Sequence, residues 1–300
     1  MNKAKALTIT YLTKANYASL NGSDKEIDNI SSIKKIRKDD GKDYPYCSSQ
    51  AIRRALREQL AVMGFDLSEG VAGEQEKGAA TTKCEPQKYI DDDLFGFMNA
   101  STTNTIKRTS PVRVSPLIAL TPYLGELDFA TNYMSVGVGG NPNIFETEIH
   151  SGYYCGTILI ELDRIGVKSI GDKYELNLKK EEKAKRVIAL VNAIQNLWTV
   201  GRQSRFLSDI SPKFVCAALM SVKNPIFMES IKINGKGGIN IELIDNTIKD
   251  FESQIIYHVI GERKGFFDKD TDKYVSLGEC FKTIRNWVYE TYEIKMQEVE

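Results

Sequence analysis

The sequence is poor in the residues that most enzymes use for chemistry. It has two histidines, two tryptophans and eight prolines in 300 residues. His150 and His258 stand in unrelated contexts, and neither accompanies a serine or cysteine of the nucleophile-elbow type. His150 is expected in a hairpin and His258 on a helix surface. The five cysteines, at 47, 84, 155, 216 and 280, form no CxxC pair and no zinc-spaced cluster. An odd set without pattern is expected to be reduced thiols packed as small core residues. No apolar run approaches the ~20 residues of a membrane helix. The start, MNKAKALTITYL, lacks a signal-peptide core and cleavage site. A cytoplasmic location is expected. Walker A and Rossmann glycine patterns are also missing, and no cofactor or metal is expected. Net charge is zero, from 40 basic and 40 acidic residues, which argues against a uniformly basic nucleic-acid binder. It leaves a local basic groove to be decided by how the charges are distributed.

What is present is a chain of ordinary globular composition, 42% hydrophobic and 27% charged. Ala6 to Leu12 alternates like a half-buried strand. Residues 21–42 are polar, with Lys34, Lys35, Arg37 and Lys38, and are expected to form a long loop. A helix follows from Ser48, with serine caps and Ile52, Leu56, Leu60 and Met63 on one face. Arg53, Arg54 and Arg57 fall together on the other side. Residues 64–110 are expected to be an irregular insertion, with the run Asp91-Asp92-Asp93 solvated. Val112 to Leu120 suggests a strand, residues 123–151 a protruding hairpin, and Tyr153 to Asp163 a strand. A second helix is expected from Glu181 to Trp198, then a Gly201–Arg205 loop, then a strand from Phe214 to Val222. Two later helices rest on Ile244, Ile248, Phe251 and Ile255, and on Leu277, Phe281, Ile284 and Val288. The order strand, helix, strand, strand, helix, strand is that of ferredoxin-like or RNA-recognition-motif (RRM) folds. The fold class is therefore α+β.

Guanidinium forks match phosphate oxygens and stay charged at cellular pH. The free amides of a helix start beside Ser48 and Gln50 add an anion site. Gly201 permits close backbone approach, and Arg202, Gln203, Ser204 and Arg205 supply donors.

These pieces resemble a family. Asn16 to Asn21, then Ser48-Ser49-Gln50 before a basic helix, look like the Cascade backbone subunit. That is the Cas-seven group of the RAMP superfamily, in its type I-B DevR branch. Pro111 to Tyr123, Ile149-His150-Ser151-Gly152-Tyr153-Tyr154 and Gly201-Arg202-Gln203-Ser204-Arg205-Phe206 agree with it, in the right order. The resemblance implies a single RRM-like palm over 1–300, with a fingers insertion at 64–110 and a thumb β-hairpin at 123–151. It implies CRISPR guide RNA as ligand and pairing of target DNA to that guide. It also implies further copies of the chain and other Cascade subunits as partners: the RNA-end-capping RAMP subunit, the guide-processing endonuclease, and the large and small subunits. RNA contacts would come from Asn21, Lys34, Lys35, Arg37, Ser48, Gln50, Arg53, Arg54, Arg57, Arg113 and Gly201 to Arg205, without catalysis. An RNA-cleaving relative would use Asp24 or Asp28 instead. A stand-alone DNA-binding regulator would need a helix-turn-helix pattern, which the sequence does not show.

Overall fold

The computed structural model describes residues 3–22, 30–70, 81–100, 105–134, 136–168, 173–198, 203–233, 238–267 and 273–295. Strand β1 (Ala6–Ala18) leads into three short strands, β2 (Ile30–Ser31), β3 (Lys35–Arg37) and β4 (Asp43–Cys47). Helix α1 (Ser49–Val62) and helix α2 (Ile90–Phe95) follow, then β5 (Phe97–Ala100), β6 (Thr105–Arg108), β7 (Val112–Val114) and β8 (Leu117–Ala119). Next come β9 (Leu127–Asn132), β10 (Asn143–Glu148), the long β11 (His150–Glu161) and helix α3 (Lys180–Gln195). The chain ends in β12 (Phe214–Met220), α4 (Ile241–Asp250), β13 (Ile255–Glu262), β14 (Val275–Ser276) and α5 (Leu277–Tyr292).

The main sheet runs β14-β13-β12-β1-β11-β8-β4-β3, with β7 also pairing β11. Its centre, β12-β1-β11-β7, is antiparallel throughout. In sequence, α1 joins β1 to β7 and α3 joins β11 to β12. This is the expected strand, helix, strand, strand, helix, strand order. Successive side chains of a strand point to opposite faces, and both faces of this sheet are covered. On one face Leu7, Ile9, Tyr11, Val215, Ala217 and Leu219 pack under α1, α3 and α5. On the other, Leu12, Phe214, Cys216, Ala218 and Met220 pack against Ile244, Phe227 and Phe267. That double burial makes β12 a continuous apolar run rather than an alternating one.

Several expectations need correction. The polar stretch 21–42 is not one loop: Lys35 to Arg37 pair with Asp43 to Pro45 in a hairpin at the sheet edge. Residues 64–110 are not all peripheral, since Ile90, Leu94 and Phe95 belong to the main core. The aspartate run is buried rather than solvated, because each carboxylate has its own partners. Asp91 takes Ser68 N–H at 2.9 Å and pairs with Arg57, and Asp92 takes Glu85 N–H at 2.8 Å. Asp93 sits between Arg108 and Arg186, at 2.5 and 2.9 Å. Gly96, with φ +69°, then turns the chain where a Cβ would lie 2.2 Å from the Arg108 carbonyl. Ile255 starts strand β13 rather than ending a helix, and His258 is exposed on that strand. Ile244, Ile248, Phe251 and Ile255 repeat at helical spacing, but α4 ends at Asp250 and the chain turns before Ile255. His150 begins β11, buried, with Nδ1 2.8 Å from the Tyr154 hydroxyl. Met63 is partly exposed, and Trp198 lies beyond the end of α3.

Candidate nucleic-acid interface

The start of α1 is held from two sides. Asn21 Oδ1 accepts from Ser48 N–H at 2.9 Å, and the Asn21 carbonyl accepts from Lys34 N–H at 2.9 Å. The end of β1's connection, the Lys34 loop and the helix are thereby fixed together. Ser48 Oγ caps the Ala51 N–H at 3.3 Å, and its carbonyl takes Ile52 N–H at 3.0 Å. Among the described residues nothing accepts from the Ser49 and Gln50 amides. Those two N–H groups carry the positive end of the helix dipole. Gln50 is exposed beside them, its amide oxygen 3.1 Å from Ser49 Oγ.

The three arginines behind them part company. Arg54 is exposed and pairs with Glu58 one turn on, at 2.9 Å. Arg57 is half-buried, 3.3 Å from Asp91 and stacked 4.7 Å over Phe95. Arg53 is half-buried, and its Nε is enclosed without a hydrogen-bond partner. Burial first, then the nearby charges of Arg57 and Arg113, push the Arg53 pKa down. Burial and like charge both oppose its charged form, and among the described residues no carboxylate pairs with it. Arg113, on β7, reaches the same neighbourhood with its Nε 2.9 Å from Glu161. Glu161 is shared with Arg164 and Lys223, and these hydrogen bonds outweigh burial to lower its pKa.

The Lys34–Lys38 segment is less free than its charge suggests. Lys35 is bound to Glu148 at 2.7 Å and lies 4.5 Å over Tyr123. Arg37 pairs with Asp43 at 3.0 Å in an exposed position. Lys38 donates to the Ala119 carbonyl and stacks on Tyr44, its pKa lowered by burial. Lys34 is half-exposed, with no ion pair among the described residues.

The Gly201–Arg205 loop also divides. Gly201 and Arg202 lie outside the described residues, as do Asp24 and Asp28. Gln203 is buried: its Oε1 accepts from Ser208 N–H at 2.7 Å while its Nε2 is enclosed without a partner. Ser204 is exposed. Arg205 turns to the β9–β10 hairpin, pairing with Asp128 and donating to Thr147 Oγ1 at 3.0 Å. Tyr17, Asp128 and Glu148 are partners that composition and periodicity gave no means of finding, because each lies more than 70 residues from the group it holds.

Among the described residues no group of three His, Cys, Asp or Glu side chains converges as a metal site would. No described helix is long and apolar enough to cross a membrane.

The fold is shared with subunits of RNA-guided complexes. A chain of a solved CRISPR RNA-guided surveillance complex in a pre-nicking state superposes with a TM-score of 0.66 at 14% identity. The match covers 94% of this chain and all of that one. A chain from another such surveillance complex gives a TM-score of 0.58 at 17% identity, over 94% and 99%. Residues 9–237 match the family model described as CRISPR-associated negative auto-regulator DevR/Csa2, and the chain belongs to that family. A curated relative, the CRISPR-associated protein Cas7/Cst2/DevR of Myxococcus xanthus (strain DK1622), is 26% identical over 244 residues, 74% of each chain.

Proposed function

We propose that this chain is an RNA-binding backbone subunit of a type I, most specifically type I-B, Cascade complex in the cytoplasm. Copies stack along a CRISPR guide RNA and hold its backbone, leaving the bases to pair with target DNA. The other Cascade subunits join this filament, and the chain itself cuts nothing. In this reading the main sheet and its helices are an RRM-like palm, 64–110 carries the fingers and 123–151 is the thumb.

The observation that carries the reading is the half-buried Arg53 with an enclosed, unpartnered Nε. It stands beside Arg57 and Arg113, behind the open Ser49 and Gln50 amides. A phosphate answers both the open amides and the crowding: it accepts from helix-start N–H groups and neutralises the guanidinium of Arg53, and it carries no sequence information. Ser48, Asn21 and Lys34 shape that cradle, and Arg54, Arg37 and the exposed Ser204 extend it along the strand. Arg202 belongs to the same proposal. Sequence-blind holding by protein and sequence reading by base pairing are complementary tasks.

The test is co-purification of the chain with its neighbouring gene products, followed by sequencing of bound RNA. Spacer-length guides are expected. An RNA-free monomer in the presence of all partner subunits would overturn the reading.

A further inference from the structure

Arg205 was expected to grip RNA, yet its surroundings are those of a structural anchor. One of its nitrogens pairs with Asp128 on β9, and another donates to Thr147 Oγ1 on β10 at 3.0 Å. Its guanidinium carbon lies 4.7 Å from the centre of the Phe145 ring and 4.9 Å from that of Phe206. A planar guanidinium between two rings, with a carboxylate along its edge, is strongly oriented. Both strands of the hairpin are therefore tied to a residue from the α3–β12 connection.

Tyr17 completes the arrangement. The β1–β11 register slips between Ala15 and Ala18, and Tyr17 sits in this irregularity with φ +52°. A bulge re-aims a side chain, and a non-glycine residue in the left-handed region is held there at a cost. Here the side chain is sent across to Asp128, its hydroxyl donating at 2.5 Å, with its ring edge-on to Phe206 at 5.6 Å. The Tyr17 N–H donates to Ser151 Oγ at 2.8 Å, where β11 begins. That hydrogen bond to Asp128 raises the Tyr17 pKa, so the hydroxyl stays a donor.

We infer that Arg205, with Asp128 and Tyr17, is a positioning group that sets the angle at which the β9–β10 hairpin leaves the body. It acts on RNA only through that hairpin. The inference rests on the proposed role of the hairpin as the thumb that reaches a neighbouring copy.

The test is hydrogen exchange by mass spectrometry on the full-length, RNA-free protein, with RNA assembly measured on the same preparations. Arg205→Ala is expected to speed exchange over 127–132 and 143–148 on the order of tenfold, leaving β1, β11 and β12 unchanged. Arg205→Lys should fall between, since an ammonium keeps the charge without the planar stack. Asp128→Asn leaves the cation and both rings in place, so it carries the test if Arg205→Ala does not fold. It should loosen the hairpin likewise and weaken assembly on guide RNA. Unchanged hairpin exchange in both variants overturns the inference. So does Asp128→Asn that assembles as well as wild type, or better, while Arg205→Ala loses RNA, because removing a carboxylate can only help a phosphate ligand. Wild-type protein that holds no RNA would sink the RNA reading and leave the exchange result standing.

Discussion

At the scale of single residues, the decisive question is which charges already have partners. Asp93 has two: Arg108 and Arg186, with all three side chains essentially sealed from solvent. It also accepts from the Gly166 N–H at 3.0 Å. Breaking a buried ion pair from one side leaves an uncompensated charge and costs about 3–5 kcal/mol. Asp93→Ala should therefore lower stability by about that amount in chemical denaturation. Arg53 is the opposite case, a crowded cation that no carboxylate among the described residues pairs with. Arg53→Met keeps a long side chain and removes the charge. Its melting temperature should hold or rise while RNA affinity falls, the stability–function trade expected of a site that serves binding rather than folding. A lower melting temperature with unchanged affinity would show Arg53 to be structural. The sequence disclosed that an arginine cluster exists but not this division. Arg53 and Arg57 are four residues apart on one helix, and only Asp91, 34 residues further on, makes Arg57 a structural group.

At the scale of elements, periodicity located what is local. Helix α1 was legible because its apolar floor repeats every turn and Ser48 supplies a cap. Ser48→Ala should cost about 1 kcal/mol of stability. It should also weaken RNA binding if the cap orients the Ser49 and Gln50 amides, and binding measured at matched folding tests that link. Strands β12 and β13 show the limit. Buried on both faces, β12 still looked like a strand because it is short and continuous. Strand β13, Ile255–Glu262, directly follows α4, and Ile244, Ile248, Phe251 and Ile255 repeat as a helix does. The chain leaves the helix at Phe251, whose N–H still bonds to the Thr247 carbonyl at 3.2 Å. Helix α2 was missed for a related reason. Three consecutive aspartates suggest solvent unless the cations of Asp91 and Asp93 are known, and those lie at 57, 108 and 186. For α1, reversing charge at Arg53 should weaken guide binding equally across guide sequences and reduce the slope of log affinity against log salt by about 1. Selective loss for particular guides would mean the helix reads bases.

At the scale of the molecule, two facts need one explanation: the chain carries no net charge, and its hairpin carries bare apolar side chains. A subunit that grips RNA alone gains from a strongly basic surface. One that must stack on copies of itself does not, because like charges repel. Forty cations balanced by forty anions suit the second. Under the proposed stacking, a copy would touch the hairpin and the segment leading into it. Leu124, Phe129, Tyr133, Met134 and Val138 are exposed, Met134 at 85% and Val138 at 88%. Large apolar side chains left bare on one protruding segment are the mark of a contact surface. The hairpin base, by contrast, is tied down by Arg205–Asp128 at one side and by Lys35–Glu148 at the other, with Ile33 N–H also donating to Glu148 at 2.9 Å. A fixed base and an uncovered tip together predict separable roles. Replacing residues 133–142 with a short glycine–serine turn removes the tip and keeps both anchors. The melting temperature of the free subunit should change little, since Tyr133, Met134 and Val138 are largely exposed in it. Single-copy RNA binding should persist through the α1 cradle. Assembly length on a guide should fall, as counted by native mass spectrometry or electron microscopy. Full-length assemblies from this variant would show that copies meet through the palm alone, and a collapse in melting temperature would show that the tip belongs to the monomer's own core.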